Sequence, residues 1–270
     1  MSKSSGTGAS GTEQSGRVRT GGGGAVVPSS GTRFSNYDDV LNLPKVTIDR
    51  YSLENLKKLK KDFNLKDISN EEVAAMIGAL NNSEISIFTW KDGEYTLRIK
   101  NDYLNSPQER IIKKDNKGNV YIKNESFFLK RGYFTDDSGN EVLGVLPEYQ
   151  DKGIATKSLA RQVFYAAKNG VKRIETFAGK GSTMIGYYVW PKHGFDGDIP
   201  PGLVNRTREY FNDPNMKTIQ DIFDKPEGNS YWKRFGPPVE VEFDLTPGSR
   251  SLQRLGKVKN ILLTKFDRIW

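Results

Sequence analysis

Cysteine is absent from this 270-residue chain, and histidine occurs once, as His193. A chain without cysteine forms no disulfide, carries no thiolate nucleophile and offers no cysteine-based zinc site. A single histidine argues against His-rich metal centres and against relays that pass protons between several histidines. We therefore expect no bound metal, and we interpret His193 as a surface or turn residue rather than a catalytic one.

Long apolar runs are also missing. No stretch approaches the roughly 20 apolar residues that a membrane-spanning helix needs. The N-terminus is rich in Ser, Gly and Thr and lacks the apolar segment of a secretory signal. These features predict a cytoplasmic protein with no membrane partner.

The charge balance is basic, with 41 Lys and Arg against 33 Asp and Glu, a net charge of +8 and a pI near 9.4. Such an excess favours polyanionic partners: nucleic acid, acidic proteins or a phosphorylated cofactor. The lysines at positions 57, 58, 60 and 61 flank an apolar stripe, so a solvated outer helix face is their default interpretation. Nucleic-acid binding without catalysis stays an alternative, and it predicts salt-sensitive binding.

Three regions are predicted from composition. Residues 1–36 are a Gly/Ser-rich tail without periodic apolar residues, which we expect to be disordered because it has too little apolar surface to offset the entropy of ordering. Residues 37–197 form the main domain. Residues 198–270, interrupted by several prolines, are a C-terminal extension packed on the same domain.

Periodicity predicts the elements of the main domain. The first helix covers 53–63, and a second begins after Ser69, with Glu72 completing a capping box. A hairpin turn is expected at 91–93 and another turn at 115–118. The remaining predictions are a strand over 120–129 broken at Asn124, a strand over 141–146, a helix from Gly153 to Gly170 that buries Ala155, Leu159, Val163 and Ala167, strands over 171–177 and 239–245, and a helix over 249–262.

The most informative run is Gln150-x-x-Gly153-x-Ala155, which follows a predicted strand and opens a helix. The first turn of a helix presents free backbone N–H groups, and its dipole attracts negative charge, so this arrangement suits a phosphate. Gly153 lets a ligand approach the backbone closely, and Ala155 keeps the first turn thin. Lys152 and Lys157 add positive charge at the rim.

This run resembles the Arg/Gln-x-x-Gly-x-Gly/Ala pyrophosphate loop of the GNAT acetyltransferases, and a Gly194-Phe195 pair follows at a suitable distance. The resemblance covers about 141–195. It implies an α/β, GNAT-like acyl-CoA N-acyltransferase fold, with a mixed central sheet and helices on both faces, and it implies acetyl-CoA as acyl donor. The donor-binding residues that it predicts are Val145, Leu146, Gln150, Asp151, Lys152, Gly153, Ile154, Ala155 and Thr156.

The resemblance also suggests catalytic residues. Many family members carry a tyrosine four residues before the glycine of the Gly-Phe pair, where it protonates the CoA thiolate. Trp190 occupies that position here, so Tyr187 and Tyr188 are predicted as substitutes. The base is predicted to be Glu141, with Glu175 as second choice. Backbone N–H groups within 144–146 are expected to stabilise the oxyanion.

Two functions follow from the resemblance. The first is an N-acyltransferase that moves acetyl from acetyl-CoA to an amine on a protein, an aminoacyl-tRNA or a small molecule. The alternative is a catalytically degenerate GNAT-like module that serves binding or virion assembly. The runs 186–196 and 243–251 look like modules encoded by phages and mobile elements, which implies a location in a bacterial host cytoplasm or a virion.

Overall fold

The computed structural model describes residues 42–90, 92–104, 107–126, 153–180 and 186–259. The strands of these residues are β1 Val46–Ile48, β2 Ser83–Thr89, β3 Tyr95–Lys100, β4 Gln108–Lys114, β5 Val120–Ser126, β6 Arg173–Ala178 and β7 Val239–Asp244. The helices are α1 Leu53–Asp62, α2 Asn70–Met76, α3 Ile154–Lys168, α4 Gly186–Lys192, α5 Pro201–Phe211, α6 Ile219–Phe223, α7 Gly228–Phe235 and α8 Arg250–Lys259, with a 3-10 turn Arg50–Ser52 before α1. The strand predicted over 141–146 lies outside the described residues.

The seven described strands form one mixed sheet, in the order in which they occur along the chain. The pairs β1–β2 and β5–β6 are parallel, whereas β2 to β5 and the pair β6–β7 are antiparallel. The protein is therefore an α/β protein with a mixed sheet, as predicted. Strand β7, at the edge, comes from the C-terminal segment, so that segment contributes to the sheet itself.

Local sequence signals account for the turns. Gly93 has a φ of 77°, and the Trp90 amide donates to the Glu94 carbonyl at 3.0 Å, which closes the predicted hairpin between β2 and β3. Gly118 has a φ of 81°, and its amide donates to the Asp115 carbonyl at 2.9 Å. Both positions need the left-handed backbone that glycine adopts without a steric penalty.

Strand β5 differs from its prediction, because it continues through Asn124 without a break. The Asn124 side chain donates to Gln162 Oε1 at 3.0 Å, and Gln162 Nε2 donates back to Asn124 Oδ1 at 2.8 Å. Both side chains are buried. Asparagine is a frequent turn residue because its amide bonds to nearby backbone, but here a helix side chain satisfies that amide and the strand is not interrupted.

The helices that contact the sheet directly lie on one of its faces. Phe63, directly after α1, packs there with its ring 5.8 Å from that of Tyr95, and α3 lies there through Gln162, which is bonded to Asn124. Helix α2 packs against α3, where the Ser158 hydroxyl donates to the Gly78 carbonyl at 2.6 Å. Farther along the same face, Phe195 packs 5.3 Å from Phe243 of β7. Helices on both faces of the sheet were predicted. Within the described residues, these contacts show helices on one face.

A row of residues in register crosses this face from β2 to β7. The row consists of Ile87, Leu97, Arg110, Asn124, Thr176 and Val241. All six are buried, but only the outer three are apolar. Burying an aliphatic side chain stabilises a fold by roughly 1.5–3 kcal/mol, so a polar centre in this row gives up stability that apolar residues would provide.

Pro191 lies inside the short helix α4 and removes one backbone donor from it. The carbonyl left without a helical partner is that of Tyr187, four residues earlier. The indole Nε1 of Trp232 donates to this carbonyl at 2.7 Å, and Trp232 is fully buried. A side chain from α7 thus replaces the missing backbone donor and attaches the C-terminal helices to α4.

We predict that Trp232→Phe destabilises the protein by about 1–3 kcal/mol, because it leaves the buried Tyr187 carbonyl without a donor. In the Pro191→Ala background the helix supplies its own N–H, so the same substitution is expected to cost less. Urea unfolding of the four variants of this cycle measures the difference, with Tyr210→Phe as the exposed-aromatic control. Equal losses in both backgrounds would contradict the replacement of one donor by the other.

Candidate functional site

The two parallel strands β5 and β6 pair over only part of their length. Tyr121–Asn124 lies in register with Arg173–Thr176. Beyond these residues β5 stays paired with β4 as far as Ser126, and β6 stays paired with β7 as far as Ala178. The strands therefore separate at their carboxyl ends, each following its other neighbour.

A cavity of about 480 Å³ occupies this separation. Its volume lies within the range of small-ligand sites, about 300–1,000 Å³. Asn124 and Thr176 line it from the helix-covered face, whereas Lys123, Glu125 and Phe177 belong to the opposite face, because side chains alternate along a strand. The cavity thus passes between the two strands and draws residues from both faces of the sheet.

The first turns of α3 cover the cavity. Gly153, with a φ of 74°, precedes the helix and provides no side-chain cap. The first intrahelical bond runs from the Lys157 amide to the Gly153 carbonyl at 2.9 Å. The earlier N–H groups of the turn have no acceptor inside the helix, and the turn contains no acidic residue. A helix start of this kind, with donors that have no acceptor inside the helix and with the positive end of the dipole, suits an anion.

Helix α3 confirms most of its prediction. It runs Ile154–Lys168 and is followed by Gly170 with a φ of 78°. Leu159, Val163 and Ala167 are buried as predicted. The expected burial of Ala155 is wrong, because this residue is exposed and lines the cavity. Its turn lies where the strands have separated, so there is no sheet against which it can pack.

Arg110 is one of the three polar residues in the row that crosses the sheet. It also lines the cavity and is 8 % exposed. Its Nη1 donates to the Glu109 carbonyl at 3.0 Å and its Nη2 donates to Gln108 Oε1 at 2.5 Å. Its Nε is buried and has no hydrogen-bond partner among the residues that the structure describes. Burial lowers the pKa of Arg110 to about 10, so the side chain stays charged at neutral pH.

Glu125 brings a carboxylate to the point where the strands separate. Its Oε1 accepts from the Lys123 ammonium at 2.9 Å, and its buried Oε2 has no hydrogen-bond partner in the described part of the chain. Sequence analysis did not select it, because in the run KNES it looks like one of many strand-end charges. Glu175, selected instead, bonds to Arg173 at 2.7 Å and does not line this cavity among the described residues.

The predicted donor-binding residues are only partly described. Five of them lie outside the described residues: Val145, Leu146, Gln150, Asp151 and Lys152. The predicted base Glu141 also lies outside the described residues. Of the four described members, Ile154 and Ala155 line the cavity next to Gly153 and Thr156. These assignments stay predictions.

The predicted acids lie on α4. The Tyr187 hydroxyl donates to the Lys233 carbonyl at 2.9 Å, and the Tyr188 ring lies 6.4 Å from Phe223. Neither tyrosine is among the described residues that line the cavity, whereas Trp190 is. Tyr188 lies two residues from Trp190 and therefore points to another side of the helix. Tyr187 lies three residues from Trp190, but its hydroxyl is directed to the Lys233 carbonyl of α7.

The remaining candidates have local roles. His193 Nδ1 lies 2.8 Å from the Val189 carbonyl, at the end of α4. Lys60 donates to the Ile68 carbonyl at 2.7 Å and to Asn70 Oδ1 at 2.8 Å, so it closes the loop between α1 and α2. In the part of the chain that the structure describes, no His, Asp and Glu cluster suits a metal ion and no helix could cross a bilayer.

Fold and site together define a mixed α/β protein with a ligand-sized cavity at the carboxyl ends of two parallel strands, beneath a helix N-terminus. Comparison of the chain with protein-family models, with curated proteins and with solved structures finds no match in any of the three.

We predict that Gln162→Leu destabilises the protein by about 1–3 kcal/mol, because it leaves the buried Asn124 amide unsatisfied. The double variant Asn124→Leu/Gln162→Leu removes both partners and is expected to recover much of that loss. Chemical unfolding measures both effects, and Gln253→Leu on the exposed face of α8 serves as control. A double variant as unstable as the sum of the two single ones would show that the amide pair is not the cause.

Proposed function

We propose that the protein is an N-acyltransferase that moves an acetyl group from acetyl-CoA to an amine. The observation that carries the proposal is the cavity between the separated ends of β5 and β6, directly beneath the uncapped start of α3. The run Gln150-x-x-Gly153-x-Ala155, which resembles the pyrophosphate loop of GNAT enzymes, leads into that helix start.

The residues present fit such a donor. The N–H groups after Gly153 have no acceptor inside the helix and suit a phosphate, and the first turn holds no carboxylate that would repel one. Ile154, Leu159 and Phe177 give the cavity apolar walls for a slender chain. When bound, acetyl-CoA supplies an activated acetyl thioester that a neutral amine attacks with loss of the thiolate.

Glu125 is the residue that we assign as base. Its Oε1 is held by Lys123, and among the described residues its Oε2 has no hydrogen-bond partner, so we assign the carboxylate as the proton acceptor at the cavity. Glu125 lies on β5, which pairs in parallel with β6, and it lines the cavity. Neither tyrosine predicted as acid is among the described residues that line the cavity, and the Tyr187 hydroxyl is bonded to a backbone carbonyl, so the geometry adds no support for an acid on α4.

Gly153→Glu is expected to abolish acetyl-CoA binding, because a carboxylate at the helix start would repel the phosphates. Calorimetric titration should give micromolar binding to the wild type and none to the variant. Gly93→Glu is the matched control, since Gly93 also has a positive φ with open space around its Cα and lies in a hairpin of the sheet.

Acetyl-CoA binding that survives in Gly153→Glu would show that the helix start does not hold the phosphates. A wild type that binds no acetyl-CoA at millimolar concentration would refute the enzyme proposal. That result would favour the alternative, a GNAT-like module without catalysis.

Glu125→Gln is expected to lower kcat by about 100-fold and to leave acetyl-CoA affinity unchanged, because it removes a proton acceptor and not a donor contact. The assay is release of free CoA with the best acceptor from a panel of small amines. Glu94→Gln is the control, since Glu94 pairs with Lys113 at 2.8 Å much as Glu125 pairs with Lys123. Unchanged turnover of Glu125→Gln across pH would exclude it as the base.

A further inference from the structure

Arg110 is the only charged member of the buried row that crosses the sheet beneath the helices. Its neighbours in the row are Leu97 on one side and Asn124 on the other. Neither is a carboxylate. Among the described residues, Arg110 forms no ion pair, and its two hydrogen bonds go to a neutral carbonyl and a neutral amide.

The nearest carboxylates along the strands are already neutralised. Glu109, next to Arg110 in sequence, points to the opposite face and pairs with Arg98 at 3.1 Å. Glu125 also belongs to that face and pairs with Lys123. The positive charge of Arg110 therefore has no counter-charge in the described part of the protein.

An uncompensated buried charge destabilises a fold by several kcal/mol, so its position in a cavity wall needs a reason. A guanidinium has five N–H donors, and Nε of Arg110 is buried without any acceptor among the described residues. Most buried donors in folded proteins are satisfied. An anionic ligand in the cavity would supply the missing counter-charge next to the guanidinium, since Arg110 lines the cavity.

We infer that the cavity binds a substrate that carries a carboxylate, and that Arg110 binds this carboxylate. A carboxylate matches the planar fork of one guanidinium and its single charge. Ile99, Leu104 and Leu80 line the same cavity, so the rest of the bound group is expected to be aliphatic. This inference rests on the proposed function, in which the reaction has two substrates, and the carboxylate has one of two sources. The carboxylate belongs either to the acyl group of the donor or to the amine that accepts it.

The first pair of probes tests the donor. Succinyl-CoA and butyryl-CoA have acyl chains of equal length, and only the first ends in a carboxylate. If the acyl group is the source, calorimetry should show that succinyl-CoA binds the wild type about 10- to 100-fold more tightly, the range expected of a charge-assisted bidentate contact.

The second pair tests the acceptor. 4-Aminobutyrate and 1-butylamine share the amine and the chain length, and only the first has a carboxylate. If the acceptor is the source, 4-aminobutyrate should bind the wild type about 10- to 100-fold more tightly, measured by calorimetry with and without CoA.

The variants separate recognition from a structural role. Arg110→Met should abolish the carboxylate preference and leave the unliganded protein at least as stable as the wild type, since it removes an uncompensated charge. Arg110→Lys keeps the charge without the fork and should retain part of the preference. Arg206→Met removes one charge from the exposed side of α5 and should leave the preference unchanged.

Loss of the preference in Arg110→Met and its survival in Arg206→Met would support the inference. The inference is overturned if the wild type shows no preference in either pair, or if the preference survives in Arg110→Met. Transfer from acetyl-CoA without any carboxylate preference would refute the inference and keep the proposed function. An Arg110-dependent preference for 4-aminobutyrate without any binding of CoA would support the inference and refute the proposed function.

Discussion

The reciprocal amide pair between Asn124 and Gln162 is the contact on which the site depends. It holds α3 over β5 at the last residue where β5 pairs with β6. A buried amide that lost its partner would be left unsatisfied, so helix and strand keep this position together. Because α3 is held there, its first turn extends beyond the paired part of the sheet and covers the space where the strands separate.

The separation follows from which neighbour each strand retains. Beyond Asn124, β5 stays in the antiparallel sheet formed with β4, and beyond Thr176, β6 stays with β7. The C-terminal segment is therefore part of the site's construction, since β7 holds β6 on the far side of the cavity. The contacts of Trp232 and Gln220 with α4 attach the helices of that segment to the same region.

The polar centre of the sheet shows the balance between stability and function. Arg110, Asn124 and Thr176 occupy positions where apolar side chains would stabilise the fold more. Asn124 and Thr176 satisfy their polar groups within the protein, the first with Gln162 and the second with the Asn124 carbonyl at 3.2 Å. Among the described residues, Arg110 has no acceptor for its Nε and no counter-charge. This difference is why we infer a ligand from Arg110 and a structural role for the other two residues.

Sequence analysis succeeded where the signal is local. The turns at Gly93 and Gly118 and the helix between Gly153 and Gly170 depend on neighbouring residues, and the structure has them as predicted. The Ser69 cap is also present, since its hydroxyl accepts from the Glu72 amide at 3.0 Å. The Glu72 carboxylate, however, pairs with Lys168 of α3, a partner 96 positions away that no local pattern indicates.

The failures have a common cause. Asn124 looked like a strand break and Ala155 looked like a core residue, because each was judged without its distant partner or without the gap in front of it. Arg110 and Glu125 were not selected, since strands β4 and β5 mix charged and apolar residues without marking which charges are buried.

The sequence by itself predicted the class of fold, the helices α1, α2, α3 and α8, and the glycine that opens α3. It did not predict β1, β4 or the helices α4 to α7, which are short or begin with a proline. The tertiary structure decided which side chains meet at the cavity. That outcome depends on strand register, and a shift of one residue would move Arg110 and Asn124 to the opposite face and bring Glu109 and Glu125 in their place. Register is determined by contacts between residues far apart in the chain. Only the folded arrangement therefore shows that a buried arginine, without an ion pair among the described residues, lies in the wall of a cavity.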